Sequence, residues 1–213
     1  EARIVYPGMK FNACLGIGEY DVRKLLHGYP LTGQWPILHE ATDEWRDRMQ
    51  DRLQQLLDEH DHLFGVICRD ATVVQLELLA LAGYHVVYLD LEHGSQSNAE
   101  AVQLARTVIH LGMVPLVRIP ELSRTHVQVL LDGGVEILTL PNVRTAQQAA
   151  HFVQLGKYPP LGERGLCSSS ANFNYHLHDP EQELSALNKA TRLSVMIESD
   201  QGYQALDSIL NVE

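Results

Sequence analysis

With 213 residues, 45% of them hydrophobic, the chain is long enough for one large globular domain or a body with an appendage. Its 16 basic and 27 acidic residues give a formal charge of −11, which opposes general attraction to nucleic acid or to an anionic membrane face and leaves small molecules or other subunits as partners. No apolar run approaches the roughly 20 residues needed to cross a bilayer, and the amino terminus lacks the layout of a secretory signal. Cys14, Cys68 and Cys167 are widely spaced and odd in number, so neither a disulfide framework nor a zinc cage is indicated and a soluble cytoplasmic protein is expected.

In chain order, residues 1–60 show no repeating pattern. The pieces "ARIVY" and "NACLGIG" are strand-like, and "GYPLTGQWP", with its prolines and glycines, reads as an irregular connection. The stretch "ATDEWRDRMQDRLQQLLDEHDH" then sets Trp45, Met49, Leu53, Leu56 and Leu57 at helical spacing behind early acidic residues, which predicts an amphipathic helix over 41–60. Its apolar stripe either packs on its own domain, the commoner case, or docks a partner. Beyond it the pattern becomes regular. "HLFGVIC" reads as a strand, "TVVQLELLALAG" as a helix, "HVVYLD" as a strand, and "NAEAVQLARTVIHLG" as a helix running from Asn98 to a stop at Gly112. "VPLVR" is a strand, "SRTHVQVLLDGG" a helix with Ser123 as a cap, "VEILTL" a strand, and "TAQQAAHFVQLG" a helix opened by Thr145. After a less regular segment come a strand, "RLSVMIE", and a helix, "GYQALDSILNV".

Apolar strands separated by helices predict a parallel sheet covered by helices, either doubly wound or closed as a β/α barrel. No G-x-G-x-x-G turn follows a strand. Asp90, Arg118, Asn142 just beyond Pro141, and Glu198 each fall at or beyond the carboxyl end of a strand, and in a barrel all those ends open on one face. The expected fold is therefore a (β/α)8 barrel of the TIM type.

The chemistry of that face follows from its residue types. Arg118 offers a planar fork suited to a carboxylate. Glu198 ends an apolar strand, so its charge calls for a cation, and a hard divalent metal held by carboxylates and substrate oxygens is one such partner. His93 can pass a proton at neutral pH, with Asp90 or Glu92 orienting it or holding metal-bound waters. Each residue also has an ordinary reading: Asp90 capping a turn, Arg118 in a salt bridge, Glu198 opening a helix, His93 solvated. Joint placement on one face favours a site for enolate chemistry beside a carbonyl.

The motifs "VVYLDLEHG", "PLVRIP", "LLDGGVEILTLPNV", "TAQQA", "YPPLGERG" and "VMIES" stand in the order and approximate spacing of the HpcH/HpaI aldolases, which residues 62–213 thus resemble. The resemblance implies a metal-dependent (class II) lyase on a β/α barrel, a homo-oligomer and usually a hexamer, that stabilises pyruvate enolate with Mg²⁺, Mn²⁺ or Co²⁺. It would cleave or form a carbon–carbon bond in a 2-oxo acid, giving pyruvate and an aldehyde. By motif, His93 would be the acid/base and Arg118 the group that binds the pyruvate carboxylate and enolate oxygen. Glu198 would be a direct metal ligand, with Asp90 and Glu92 around His93 and the metal waters, Glu92 acting through water. Arg164, Gly165 and Pro141 would complete the substrate-binding wall.

The chain also departs from the family pattern. The second direct metal ligand is expected in a Gly-Pro-x-Asp strand that would lie beyond Glu213, and Asp200 and Asp207 are not placed to replace it. On this reading the barrel is short at its carboxyl terminus, with about six β/α units, behind an N-terminal helical extension: residues 1–60 form the extension and 61–213 the barrel domain. Either the sequence is a piece of a longer protein, or the missing strands come from the extension or another subunit. Asn142 stands where Met is usual and Met196 where Gln is common, which bears on substrate choice. Two other readings stay open: an oxaloacetate-decarboxylating enolate-transfer enzyme of the macrophomate synthase type, and a non-catalytic binding or structural relative that has lost the metal site.

Overall fold

The computed structural model describes residues 51–173, 175 and 179–212. The strand-like pieces and irregular connection before residue 51, together with Trp45 and Met49 of the predicted helix, lie outside the described residues. The remainder of that helix is α1, Arg52–Glu59, capped by the Asp51 side chain, which accepts from the amide of Gln54.

Five strands follow: β1 (Gly65–Cys68), β2 (Val86–Asp90), β3 (Val114–Arg118), β4 (Ile137–Leu140) and β5 (Arg192–Val195). All neighbours are parallel and the spatial order is the chain order, β1-β2-β3-β4-β5. A doubly wound sheet reverses its order at a switch point; a barrel wall does not, so this is part of a TIM-barrel-like fold. The helices between the strands are α2 (Val73–Leu81), α3 (Asn98–His110), α4 (Arg124–Asp132), α5 (Ala146–Gly156) and α6 (Pro180–Ala190), with the short α7 (Asp200–Gln204) and α8 (Leu206–Leu210) after β5. None is long and apolar enough to cross a membrane.

The helices begin where short polar side chains can take up first-turn amides. Thr72 with Gln75, and Ser97 with Glu100, form reciprocal capping boxes at α2 and α3; Ser123 and Thr145 cap α4 and α5. Pro115 sits inside β3 although proline cannot donate to a ladder. The β3–β4 pairing begins one residue later, at Leu116↔Ile137, so little is lost there.

The described residues hold five parallel strands of the expected partial barrel. Among its described residues, the less regular segment from Lys157 to Asp179, with Pro159, Pro160, Gly162, Gly165 and a serine run, contributes only a 3₁₀ turn at Ala171–Phe173. It then leads into α6, which the sequence reading did not foresee, opened by the Asp179 cap and by Pro180 in the first turn. The final helix is also two short ones, meeting at Ala205.

The two faces of the sheet divide the work. Val87, Leu89, Val117, Leu138 and Leu140 alternate onto the helix-covered face and pack with Leu104, Val108, Leu130 and Phe152 in the main core. The opposite face is apolar at the amino-terminal ends of the strands, where Val114 and Ile137 bury Leu56 of α1, with Val86 and Leu116 against them. The apolar stripe of α1 therefore packs on its own domain. Toward the carboxyl ends the same face carries Tyr88, Asp90, Arg118 and Thr139 by the two-residue alternation, and these begin the site.

Candidate active site at the carboxyl ends of the strands

Asp90 ends β2 and is fully buried. Register places it beside Arg118, the last residue of β3. Its Oδ1 accepts from Arg118 Nε at 2.9 Å and its Oδ2 from Nη2 at 2.6 Å, while the amides of Glu92 and His93 donate to Oδ1 at 3.1 and 3.2 Å. Burial pushes this carboxyl up, yet the Arg118 bonds, the two amides and the Arg118 charge outweigh it, so its pKa lies below the ordinary carboxylate range. Asp90 thereby orients the arginine and folds the following loop over the strand ends.

That loop has no room to relax. A Cβ on Gly94 would fall 2.2 Å from the Arg69 carbonyl oxygen and 2.3 Å from that of Asp90, a close approach only glycine allows. Beyond it, Ser95 donates through both its amide and its hydroxyl to Asp70 Oδ1, at 2.9 and 2.8 Å.

The rest of Arg118 faces Glu92 and Met196. Nη1 lies 3.1 Å from Glu92 Oε2 and 3.9 Å from Met196 Sδ, and the guanidinium carbon stands 5.9 Å from the Tyr88 ring centroid. Glu92 Oε2 is buried and, despite the ion pair, has no hydrogen-bond partner among the described residues. His93 Nε2 is 3.8 Å from the same oxygen, and the His93 side chain is 59% exposed, open to an incoming molecule. Burial pushes the Tyr88 phenol up, so it stays a neutral donor to Met196 Sδ at 3.7 Å.

Glu198 stands beyond β5, and its Oε2 accepts from the Asn142 amide at 3.0 Å. It is exposed, which corrects the expectation of a buried charge demanding a cation: β5 ends at Val195 and Glu198 lies in the loop that follows. Asn142 has φ 54, a left-handed conformation that asparagine tolerates better than most residues. A cleft of about 220 Å³ lies at the ends of β3 and β4, lined among others by Glu92, Pro120, Glu121, Pro141 and Asn142.

The other two residues expected in the substrate wall are held elsewhere. Arg164 is 5% exposed, donates to Asp132 Oδ1 at the end of α4 at 2.7 Å, and stacks 4.5 Å from the Tyr158 ring centroid. Gly165 is bracketed by Gln128, which accepts from its amide and donates to its carbonyl. No contact among the described residues joins either to Asp90, Glu92 or Arg118. Tyr88 was missed by sequence reasoning, although its position two residues before Asp90 on one strand was a usable signal; Glu121, directly after Pro120, gave none.

A family model for the HpcH/HpaI aldolase/citrate lyase domain matches residues 69–213. The chain belongs to the HpcH/HpaI aldolase/citrate lyase family. It is 31% identical over 163 residues to hydroxypyruvate/pyruvate aldolase of Paraburkholderia phytofirmans, covering 74% of this chain and 62% of that protein. It is 30% identical over 157 residues to 2-keto-3-deoxy-L-rhamnonate aldolase of Salmonella gallinarum, covering 74% of this chain and 58% of that one. The crystal structure of an HpcH/HpaI aldolase from Desulfitobacterium hafniense superposes with a TM-score of 0.68 at 30% identity, covering 76% of this chain and 62% of that chain. The chain thus spans about 60% of the length of these family members.

A divalent metal is the group this family resemblance implies. Among the described residues no three His, Cys, Asp or Glu side chains gather as a cage. Of the residues expected to hold it, Glu198 accepts from the Asn142 amide through Oε2 and Glu92 keeps a buried Oε2 without a hydrogen bond. Carboxylate oxygens suit a hard ion that keeps several waters and takes other oxygens from its substrate.

Proposed function

We propose that this HpcH/HpaI family member is a metal-dependent 2-oxo acid aldolase that interconverts a 4-hydroxy-2-oxo acid with pyruvate and an aldehyde. The observation that carries the reading is the Asp90–Arg118–Glu92–His93 array at one sheet end: a half-buried arginine braced by two carboxylates, beside an open imidazole. Aldolase activity in the relatives of P. phytofirmans and S. gallinarum supports it. We place the protein in the cytoplasm and read it as a homo-oligomer.

Arg118 presents its Nε and Nη2 edge to Asp90, which leaves the Nη1 and Nη2 end for a substrate carboxylate and 2-oxo oxygen, with Glu92 moving aside. In the cleavage direction the C4 hydroxyl loses its proton to His93, the C3–C4 bond breaks, and its electron pair passes into the pyruvate enolate as the aldehyde departs. Protonation of C3 then completes pyruvate. Arg118 stabilises the negative charge that develops on the enolate oxygen. A divalent ion, Mg²⁺, Mn²⁺ or Co²⁺, held by Glu198 and through water by Glu92, would add Lewis acidity toward the 2-oxo group.

Pyruvate methyl proton exchange, followed by NMR in deuterated water with the full chain and Mg²⁺ or Mn²⁺, tests this without knowledge of the aldehyde. Exchange is expected, falling at least about 100-fold in Arg118→Ala and in His93→Ala. Absence of exchange with either metal, or substitutions that change nothing, would overturn the enzyme reading in favour of a non-catalytic relative.

A further inference from the structure

We infer that the cleft beside Glu92 is the aldehyde half of the site, that it selects small uncharged aldehydes over carboxylate-bearing ones, and that Glu121 sets the preference. The inference rests on the aldolase reading above.

The cleft's volume of about 220 Å³ suits a small molecule. Leu122, Leu140 and Val143 make its apolar wall, and among the described residues its charged lining consists of Glu92 and Glu121 with no lysine or arginine. Arg118 is paired with Asp90 and Glu92, and Arg144, outside the lining, donates from Nε to Asn142 Oδ1 at 3.1 Å. Glu92 is offset by Arg118 and by the proposed metal ion, so a second carboxylate on the aldehyde would leave water and meet chiefly the like charge of Glu121. The pyruvate carboxylate escapes this conflict because Arg118 receives it.

In the synthetic direction C3 of the enolate attacks the aldehyde carbon and the new C–C bond forms. The π pair of the aldehyde moves to its oxygen, which takes up a proton. Only the remainder of the aldehyde occupies the cleft, so its charge is what Glu121 reads. Glu121 follows Pro120, three residues past the end of β3, and is exposed, so its side chain can change without unsettling the core.

Butanal and succinic semialdehyde have equal chain length and differ by one terminal carboxylate. With the full chain, Mg²⁺ and pyruvate, the ratio of their kcat/KM values reads the preference directly. Butanal is expected to lead by about tenfold or more, the size of one screened like-charge contact near a protein surface. Glu121→Gln should narrow the ratio several-fold, and Glu121→Lys should reverse it. Equal or preferred use of succinic semialdehyde by the unaltered protein, or a ratio indifferent to both substitutions, overturns the inference. Pyruvate methyl exchange without aldehyde separates the causes: exchange with the wrong ratio sinks this inference alone, whereas no exchange sinks the aldolase reading and this inference with it.

Discussion

Asp90 is buried, and its two carboxylate oxygens receive four donors, two from Arg118 and one each from the amides of Glu92 and His93. With its acceptor capacity so occupied, its part in the proposed reaction is to position Arg118. Asparagine would keep the shape and lose the charge, leaving a half-buried guanidinium short of one partner. The expected cost of Asp90→Asn is about 2–3 kcal/mol in urea unfolding, with Glu92 offsetting part of the loss. Pyruvate exchange should fall roughly 100-fold, much of it as a raised KM, because the arginine proposed to grip the carboxylate is no longer aimed. A protein that was merely less stable would keep its KM and lose only active fraction, so the kcat against KM split tests the positioning role. Because the folded-state pKa is lowered, the stability from this group is present above the ordinary carboxylate range and is lost as pH falls through the folded value. That acid-limb loss should be absent from Asp90→Asn.

Helix α1 meets the opposite end of the sheet through charged groups as well as through Leu56. Glu136, just before β4 and 8% exposed, faces the amides of Leu53 and Arg52 in the first turn of α1, and its Oε2 has no hydrogen-bond partner. Burial pushes its pKa up; the Leu53 amide pulls the other way, nearby Asp51 adds to the rise, and Arg192 and the Arg52 amide oppose it, for a result of about 7. Arg192 also pairs with Asp51 Oδ1 at 2.7 Å, so the helix cap and the edge strand are joined there. A raised folded-state value means that the folded protein keeps a proton the unfolded chain releases above about 4.5. Stability should therefore decline as pH rises from about 4.5 toward 7 and level off above that. Glu136→Gln should flatten this decline and make the protein more stable than the parent by about 2 kcal/mol at pH 8, measured by urea unfolding across pH. A parent and variant with parallel pH curves would show that the buried carboxyl is not responsible.

Across the whole molecule, legibility followed the physics of each signal. Strands and helices from Gly65 to Gly156 were readable because burial on a covered parallel sheet writes long apolar runs, and Asp90 and Arg118 stood out as charges ending them. Helix α6 was not readable, since it buries only Asn188 and Ala190 and so leaves little periodicity. Nor was the placement of Arg164, which depends on Asp132 and Tyr158, distant partners brought near by packing. The same sheet keeps two tasks apart: its amino-terminal ends carry the α1 anchor and its carboxyl ends carry the proposed chemistry. Glu136 precedes Thr139, the partner of Arg118, by three residues, or about 10 Å along the strand, and Asp90 lies two strands over, about another 10 Å. Groups at that separation with no shared partner should be energetically independent. The double substitution Glu136→Gln with Asp90→Asn should thus change unfolding free energy by the sum of the single effects to within about 0.5 kcal/mol. Glu136→Gln alone should leave pyruvate exchange as it was. Coupling well above that margin, or a loss of exchange on altering Glu136, would mean that α1 reaches the active end through the sheet and that anchoring and catalysis are one system.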